Sequence, residues 1–180
     1  YWAMSVAGYI LVALVAYLCG SLPTGHLLAK ARGIDIRAVG SGNIGATNVF
    51  RVLGWPAGVS VLVVDVAKGA LPVVLARWAW AQFDLGAGAN AIEWAAIVAG
   101  FCSVLGHNYT PWLGFRGGKG IATSAGVLAA LVPLAFLVVL GVFVVVLAAT
   151  RYVSLASITG AAALPIAAWA TKQSSALIAI

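Results

Sequence analysis

The sequence predicts an all-α integral membrane protein, built as a polytopic bundle of transmembrane helices. Of its 180 residues 63% are hydrophobic and only 8% are charged, whereas about a quarter of the residues of a soluble domain are charged. Uncharged apolar runs such as residues 127–149 are long enough to cross a membrane, and four acidic residues could not keep them soluble. The basic residues gather in short polar segments between such runs, which is typical of polytopic proteins.

Seven apolar stretches are expected to span the membrane in the complete protein. A span needs about 20 apolar residues, although tilted or re-entrant helices are shorter. The expected spans are residues 6–29, 57–80, 92–105, 121–131, 134–149 and 155–169, with a last one cut short at Ile180. Pro133 predicts that residues 121–149 form either one long kinked helix or a hairpin of two short helices. The hairpin is favoured, because an even number of crossings keeps the basic segments on one side of the membrane. We expect all of them to belong to one domain, residues 1–180.

The first span is expected to be broken near its end, where Gly20 and Pro23 interrupt the helix and free backbone groups that need partners. The apolar run before that break has no positively charged region ahead of it. We therefore interpret it as a retained helix and not as a cleaved signal peptide. Because the first residue is not Met, either Met4 is the start or the chain is a fragment.

Three polar segments hold most of the basic residues: the first polar segment (residues 30–51), the second (residues 106–120) and the third (residues 151–157). Their basic residues are Lys30, Arg32, Arg37, Arg51, Arg116, Lys119 and Arg151. Since short loops rich in Lys and Arg face the cytoplasm, we expect all three segments on that side and the N-terminus outside. The net charge of +6 is then explained by orientation and an anionic ligand, without nucleic acid.

The first polar segment contains Gly40-Ser41-Gly42-Asn43-Ile44-Gly45, which matches the spacing G-x-G-x-x-G. A dinucleotide site is rejected, because that fingerprint needs a βαβ unit. Glycines nevertheless let a backbone approach an anion closely, with neutral donors and one bidentate donor nearby. The neutral donors are Ser41, Asn43, Thr47 and Asn48, and the bidentate donor is Arg51. The segment predicts an anion site; the alternative is a solvated connector with turn residues.

The second polar segment contains Gly117-Gly118-Lys119-Gly120, which resembles part of a phosphate-binding loop. It is not a Walker motif, because Leu113 replaces the first glycine and Gly120 the final Ser or Thr. The glycines precede a helix expected to start near Ile121. Its free N–H groups, with Arg116 and Lys119, favour a phosphate. Interfacial basic residues on a flexible turn are the alternative.

The remaining polar residues favour packing roles. Asp65 and Lys68 lie one helical turn apart and are interpreted as a buried ion pair in preference to a proton relay. His26 and His107 are too few for a metal cluster, so no metal site is predicted and packing is favoured over catalysis. Ser154 is either a helix cap or a substrate contact, and these alternatives stay open.

Four blocks of the chain together resemble a known family. They read GSLPTGHLLAK, GIDIRAVGSGNIGATNVFRVLG, GHNYTPWLGFRGGKGIATSAGV and RYVSLASI. In this order they are similar to the bacterial acyl-phosphate-dependent glycerol-3-phosphate acyltransferases. The resemblance implies a seven-helix enzyme of the bacterial inner membrane whose active site faces the cytoplasm. It would transfer a fatty acyl group from acyl phosphate to the 1-hydroxyl of sn-glycerol 3-phosphate, giving lysophosphatidic acid and inorganic phosphate, the first step of phospholipid synthesis.

The resemblance also implies the partners and the site. The partners are sn-glycerol 3-phosphate, fatty acyl phosphate, membrane lipid and the synthase that makes acyl phosphate, with no cofactor. The implied catalytic residues are Ser41, Arg51 and Lys119. The implied substrate-binding residues are Gly40, Gly42, Asn43, Thr47, Asn48, Arg116, Gly117, Gly118, Gly120 and Ser154.

Two further expectations follow. Family members usually end in a cytoplasmic tail that bears a His and an Asn, whereas this chain ends at Ile180. We therefore expect a C-terminal truncation and reduced activity of the chain as given. The alternative function is a small transporter for a phosphorylated metabolite, which also needs broken helices and cationic sites, but near the middle of the bilayer.

Overall fold

The computed structural model describes residues 2–83, 85 and 90–173 and is helical, without strands, in that part of the chain. The elements are α1 Trp2–Gly20, α2 Thr24–Lys30, α3 Ala46–Leu53, α4 Trp55–Phe83, α5 Ala91–Asn108, a 3₁₀ turn Pro111–Leu113, α6 Ile121–Leu131, α7 Pro133–Thr150 and α8 Val153–Ala170. The predicted all-α class is thereby confirmed.

Four stretches of the described residues are long and apolar enough to cross a membrane. They are Val6–Lys30, Trp55–Phe83, Pro133–Thr150 and Val153–Ala170. The predicted break within residues 121–149 is present, because α6 and α7 are separated at Val132, where the backbone leaves helical geometry. That the two helices form a hairpin stays a prediction. A count of seven spans stays a prediction, because the last expected span falls largely in residues 174–180, outside the described residues.

The first polar segment is not a loop throughout, as the sequence had suggested, because α3 begins at Ala46. This short helix is amphipathic. Val49 is buried on its inner side, in a cluster with Ile36, Ile44 and Val61. The burial of this apolar stripe outweighs the polar composition of the segment, since packing decides whether a short helix forms.

The predicted break in the first span lies between α1 and α2, and its freed carbonyl groups have partners. The ammonium of Lys68 donates to the carbonyl oxygen of Leu22 at 2.7 Å. The hydroxyl of Thr110 donates to the carbonyl oxygen of Ser21 at 2.6 Å, and Trp112 Nε1 donates to the Ser21 hydroxyl at 2.9 Å. Side chains from α4 and the second polar segment therefore stabilise the broken helix.

Glycines set the distances between the helices around this break. Gly20 lies against the carbonyl of Ser103, and Gly106 lies against that of Tyr17, so that α1 and α5 touch through their backbones. Gly69 on α4 meets the carbonyl of Thr123 on α6 in the same way. Small residues allow such close packing of membrane helices.

The chain divides into two compact units. The first extends to Val127 and contains α1 to α5. The second begins at Leu128, and in it α7 packs on α8 with Val139 in contact with Gly160. One domain for residues 1–180 stays a prediction.

Candidate active site

Asn48 organises the first polar segment from inside. Its side chain is buried. Its Oδ1 accepts a hydrogen bond from the backbone N–H of Ser41 at 2.8 Å. Its Nδ2 donates to the carbonyl groups of Ile36, Val39 and Asn43 at 3.2, 3.1 and 2.9 Å. One amide therefore ties the glycine turn to the start of α3.

The glycines of this turn have specific steric roles. Gly40 has a φ of 63°, and a Cβ atom there would overlap Oδ1 of Asn48. Gly42 has a φ of 70°, a left-handed conformation that glycine adopts without strain. Oδ1 of Asn43 accepts from the N–H of Gly45 at 2.9 Å, and the turn rests on α2 where Gly25 meets the carbonyl of Ile44. The turn is thus fixed from both sides.

Three of the predicted site residues with polar side chains in this segment are exposed: Ser41, Thr47 and Arg51. Thr47 and Arg51 are four residues apart on α3 and therefore lie on one face of it. The bond from Ser41 N–H to Asn48 places Ser41 beside the first turn of α3. The outer side of the turn therefore carries the hydroxyl groups of Ser41 and Thr47 and the guanidinium of Arg51.

In the second polar segment, two backbone N–H groups are bonded to carbonyl groups at the end of α5. Gly117 N–H donates to the carbonyl of Asn108 at 2.9 Å, and Gly118 N–H donates to that of His107 at 3.0 Å. They satisfy the last carbonyl groups of α5. Gly120, with a φ of 76°, leads into α6, whose first-turn N–H groups have no acceptor within their own helix.

The two polar segments meet at an open cleft with a volume of about 360 Å³. Its lining comprises Asp35, Arg37, Ala38, Gly42, Ile44, Arg116 and Gly117. Gly42 comes from the first segment, and Arg116 and Gly117 come from the second. The first and second polar segments therefore share one end of the first unit, as their basic residues predicted. Lys119, the residue after Gly118, is exposed and does not line the cleft.

Asp35 and Arg37 line this cleft although the sequence analysis did not assign them to the site. Arg37 donates from Nε and Nη2 to the two carboxylate oxygens at 3.0 and 3.1 Å, and its backbone N–H donates to Oδ1 at 3.1 Å. Hydrogen bonds from Arg37 lower the pKa of Asp35, and the same contact raises the pKa of Arg37. The carboxylate holds the guanidinium in one orientation at the cleft, and the i, i+2 spacing was the signal for this pair.

The predicted ion pair is present in the bundle. Lys68 Nζ lies 2.8 Å from Oδ1 of Asp65, and both side chains are buried. Ser154, another predicted site residue, is exposed in the first turn of α8, in the second unit. Its place in the site stays a prediction.

The fold and the cleft define an α-helical membrane protein with an open cleft, lined by two arginines and two glycines, at one end of its first unit. The chain belongs to the glycerol-3-phosphate acyltransferase family, whose model matches residues 10–180.

Curated and solved relatives agree with this. The glycerol-3-phosphate acyltransferase of Geobacter sulfurreducens is 48% identical over 169 residues, which cover 94% of this chain and 82% of the relative. That of Thermosynechococcus vestitus is 50% identical over 165 residues, covering 91% and 78%.

Two crystal structures of PlsY (YgiH), an integral membrane glycerol 3-phosphate acyltransferase, have the same fold. The glycerol 3-phosphate form superposes with a TM-score of 0.81 at 38% identity, covering 94% of this chain and 80% of that one. The lysophosphatidic acid form gives 0.79 at 37%, with the same coverage. The predicted family, membrane fold and acyltransferase class are confirmed.

Proposed function

We propose that this chain transfers a fatty acyl group from acyl phosphate to the 1-hydroxyl of sn-glycerol 3-phosphate, at the end where the two polar segments meet. The observation that carries the proposal is the cleft itself, in which Arg37 and Arg116 face a glycine turn from each segment. Both substrates are anions with a phosphate group. The solved relatives in glycerol 3-phosphate and lysophosphatidic acid forms support the acceptor and the product.

Phosphate binding is assigned to exposed cations and to the start of α6. Arg51 supplies a planar fork for a phosphate, and Lys119 supplies a mobile point charge beside the N–H groups of the first α6 turn. Arg116 adds charge across the cleft. Gly117 and Gly118 hold the loop shape, because their amides are already bonded.

The first polar segment is assigned to the acceptor hydroxyl. Ser41 and Thr47 are exposed hydroxyl groups next to the glycine turn, and Ser41 is proposed to orient the hydroxyl that attacks. Asn48 is buried and bonded on both its oxygen and its nitrogen, so that its role is to hold Ser41 and not to contact substrate. Alignment of two anions accounts for much of the catalysis required.

The proposed chemistry is a direct transfer. The 1-hydroxyl oxygen forms a bond to the acyl carbonyl carbon, and the bond from that carbon to the phosphate oxygen breaks. Phosphate leaves with the electron pair. The hydroxyl proton goes to a substrate phosphate oxygen, whose second pKa is near 6. Arg51 and Lys119 stabilise the charge that develops, and no acyl-enzyme is formed.

Ser41 as an acyl nucleophile is the alternative within the same reaction. Rapid acid quench of wild type with radiolabelled palmitoyl phosphate, in the absence of glycerol 3-phosphate, separates the two mechanisms. Direct transfer leaves no label on the protein. Labelled protein that loses its label in Ser41→Ala would establish the covalent route and contradict direct transfer.

The proposed location is the bacterial inner membrane, with the cleft on the cytoplasmic side. The basic residues of the first and second segments support this orientation. The acyl chain of the donor stays in the lipid while its phosphate reaches the cleft, and the synthase that makes acyl phosphate is the proposed supplier. Labelling of Ala38→Cys by an impermeant maleimide in inside-out vesicles, and not in intact cells, is expected. Labelling of intact cells would reverse the orientation.

The function is tested with purified protein, radiolabelled glycerol 3-phosphate and either palmitoyl phosphate or palmitoyl-CoA. Lysophosphatidic acid is expected from palmitoyl phosphate alone. The same assay is run in parallel on a chain extended by a family-like C-terminal tail. If neither chain makes product while glycerol 3-phosphate crosses liposomes that contain the protein, the transporter replaces the acyltransferase.

A further inference from the structure

Three ionisable side chains are buried inside the first unit, two on α4 and one at the start of the second polar segment, and the proposed chemistry does not use them. Asp65, Lys68 and His107 have side chains that are 3%, 4% and 4% exposed. Lys68 Nζ lies 2.8 Å from Oδ1 of Asp65, and Nδ1 of His107 lies 3.9 Å from the same oxygen. We call these three residues the buried charge cluster.

Lys68 connects this cluster to the first polar segment. Besides its ion pair, its ammonium donates to the carbonyl of Leu22 at 2.7 Å, at the break that precedes α2. α2 in turn supports the glycine turn, since Gly25 lies against the carbonyl of Ile44. The position of α2, and with it the turn that carries Ser41, therefore depends on Lys68.

His107, at the start of the second polar segment, connects the cluster to the glycine loop of that segment. Its carbonyl accepts from the N–H of Gly118 at 3.0 Å, and its ring Nε2 packs on Gly118 so closely that a Cβ atom there would overlap it. Nδ1 has no hydrogen-bond partner in the described part of the chain and faces Asp65. The ring thus fills the space between Asp65 and the loop that carries Lys119.

Burial of such charges costs free energy, and an apolar trio of similar volume could pack α4 against α5 at least as stably. Fold stability alone is therefore a weak reason for the cluster. Buried polar groups can instead fix one register among several packings of similar energy.

We propose that the buried charge cluster positions the two polar segments relative to each other and so sets the separation of the two substrate phosphates. Asp65, Lys68 and His107 are positioning residues in this scheme and touch neither substrate. The inference rests on the proposed function, because the positioning role requires two phosphate-bearing substrates at the cleft, one held by each polar segment. Misplacement by about 1 Å can lower the rate roughly 100-fold, so that a small relaxation is measurable.

The test compares Lys68→Met, Asp65→Asn and His107→Ala with Ser103→Ala as the matched control. The Ser103 hydroxyl donates to the carbonyl of Lys68 at 2.7 Å and is as buried as the cluster, but it carries no charge. For each variant, the folded fraction is measured by size exclusion, and kcat and KM are measured for glycerol 3-phosphate and palmitoyl phosphate separately.

The cluster variants are expected to lose at least 10-fold in kcat/KM per folded molecule, with KM raised for at least one substrate. Ser103→Ala is expected to stay within twofold of wild type. His107→Gln, which keeps a nitrogen near the position of Nε2, is expected to recover part of the loss. Cluster variants that keep wild-type kcat and KM per folded molecule would overturn the proposal and leave only a role in stability.

A second measurement does not depend on activity. Spin labels at Ala38→Cys and Tyr109→Cys, in a background without Cys19 and Cys102, report the distance between the first and second polar segments. We expect a broader or shifted distance distribution in Lys68→Met and His107→Ala, and an unchanged one in Ser103→Ala. Unchanged distributions in the cluster variants would contradict the positioning role even if the wild type is active. If the wild type is inactive but the cluster variants alter the distance distribution, only the proposed function is contradicted.

Discussion

A methyl group at Gly118 is the sharpest probe of the contact between His107 and the second polar segment. The Cβ atom of Gly118→Ala would overlap Nε2 of His107. To restore ordinary contact at about 3.5 Å, the loop has to move by on the order of 1 Å. Overpacking of this kind costs about 1–3 kcal/mol, and a displacement of that size near Lys119 can lower kcat/KM roughly 100-fold.

The same structure predicts that His107→Ala relieves this overlap. The atoms that Gly118→Ala would meet belong to the His107 ring, so that truncating the ring leaves room for the methyl group. Gly117→Ala is the matched control, because its methyl group would overlap the backbone carbonyl groups of His107 and Asn108, which no side-chain truncation removes. Relief is expected at Gly118 and not at Gly117.

The assay is a double-mutant cycle on the thermal unfolding midpoint and on kcat/KM. Gly118→Ala is expected to lower the midpoint by about 2–4 °C for each kcal/mol lost. In the His107→Ala background it is expected to have almost no further effect, whereas Gly117→Ala stays additive. Additive behaviour of Gly118→Ala would refute the contact and with it the proposed role of the ring.

Three other perturbations have definite expected outcomes. Asn48→Ala removes the four hydrogen bonds that shape the first turn and is expected to lower kcat/KM about 100-fold; its control is Asn90→Ala, whose side chain makes no capping hydrogen bond. Arg51→Lys keeps the charge and loses the planar fork, so we expect kcat/KM to fall less than in Arg51→Gln. Asp35→Asn tests the bond to Arg37, which lowers the pKa of the folded carboxyl. The stabilisation of the folded protein by the ionised Asp35 is therefore full above the pKa of the unfolded carboxyl, about 4. It is lost as the pH falls through the lower pKa of the folded carboxyl.

Each of these outcomes can fail in a specific way. Wild-type kinetics in Asn48→Ala would show that the turn keeps its shape without the amide. Equal activity of Arg51→Lys and Arg51→Gln would remove Arg51 from phosphate binding. For Asp35, the difference in unfolding midpoint between wild type and Asp35→Asn is expected to shrink as pH falls below about 4. A difference that is constant with pH would mean that the ionised carboxyl is not what stabilises Arg37.

Features that depend on local sequence could be predicted. The apolar runs predicted the membrane helices, Pro133 predicted the break between α6 and α7, and the i, i+3 spacing predicted the contact of Asp65 with Lys68. In each case neighbours along the chain determine the outcome. The clustering of Lys and Arg predicted that the first and second polar segments share one end for a similar reason, since the orientation of a span depends on the charges of its own flanking loops.

Features that depend on distant contacts could not be predicted. α3 forms in a polar stretch because Val49 is buried by residues of other elements, such as Ala29 of α2 and Val61 of α4. The contact of Gly118 with His107 joins residues that are close in sequence. The hydrogen bond from Lys68 to the carbonyl of Leu22, in contrast, joins residues 46 positions apart. Composition alone presented Asn48 as a substrate donor, whereas burial turns its amide inward.

The central claim is that the cleft between the two polar segments joins acyl phosphate to glycerol 3-phosphate. It is tested most directly by measuring lysophosphatidic acid and released inorganic phosphate together, in wild type and in Arg51→Gln that remains folded. We expect one phosphate per lysophosphatidic acid in wild type, with palmitoyl phosphate as the donor, and neither product above background in Arg51→Gln. Phosphate released without lysophosphatidic acid, or full activity in Arg51→Gln, would contradict the account.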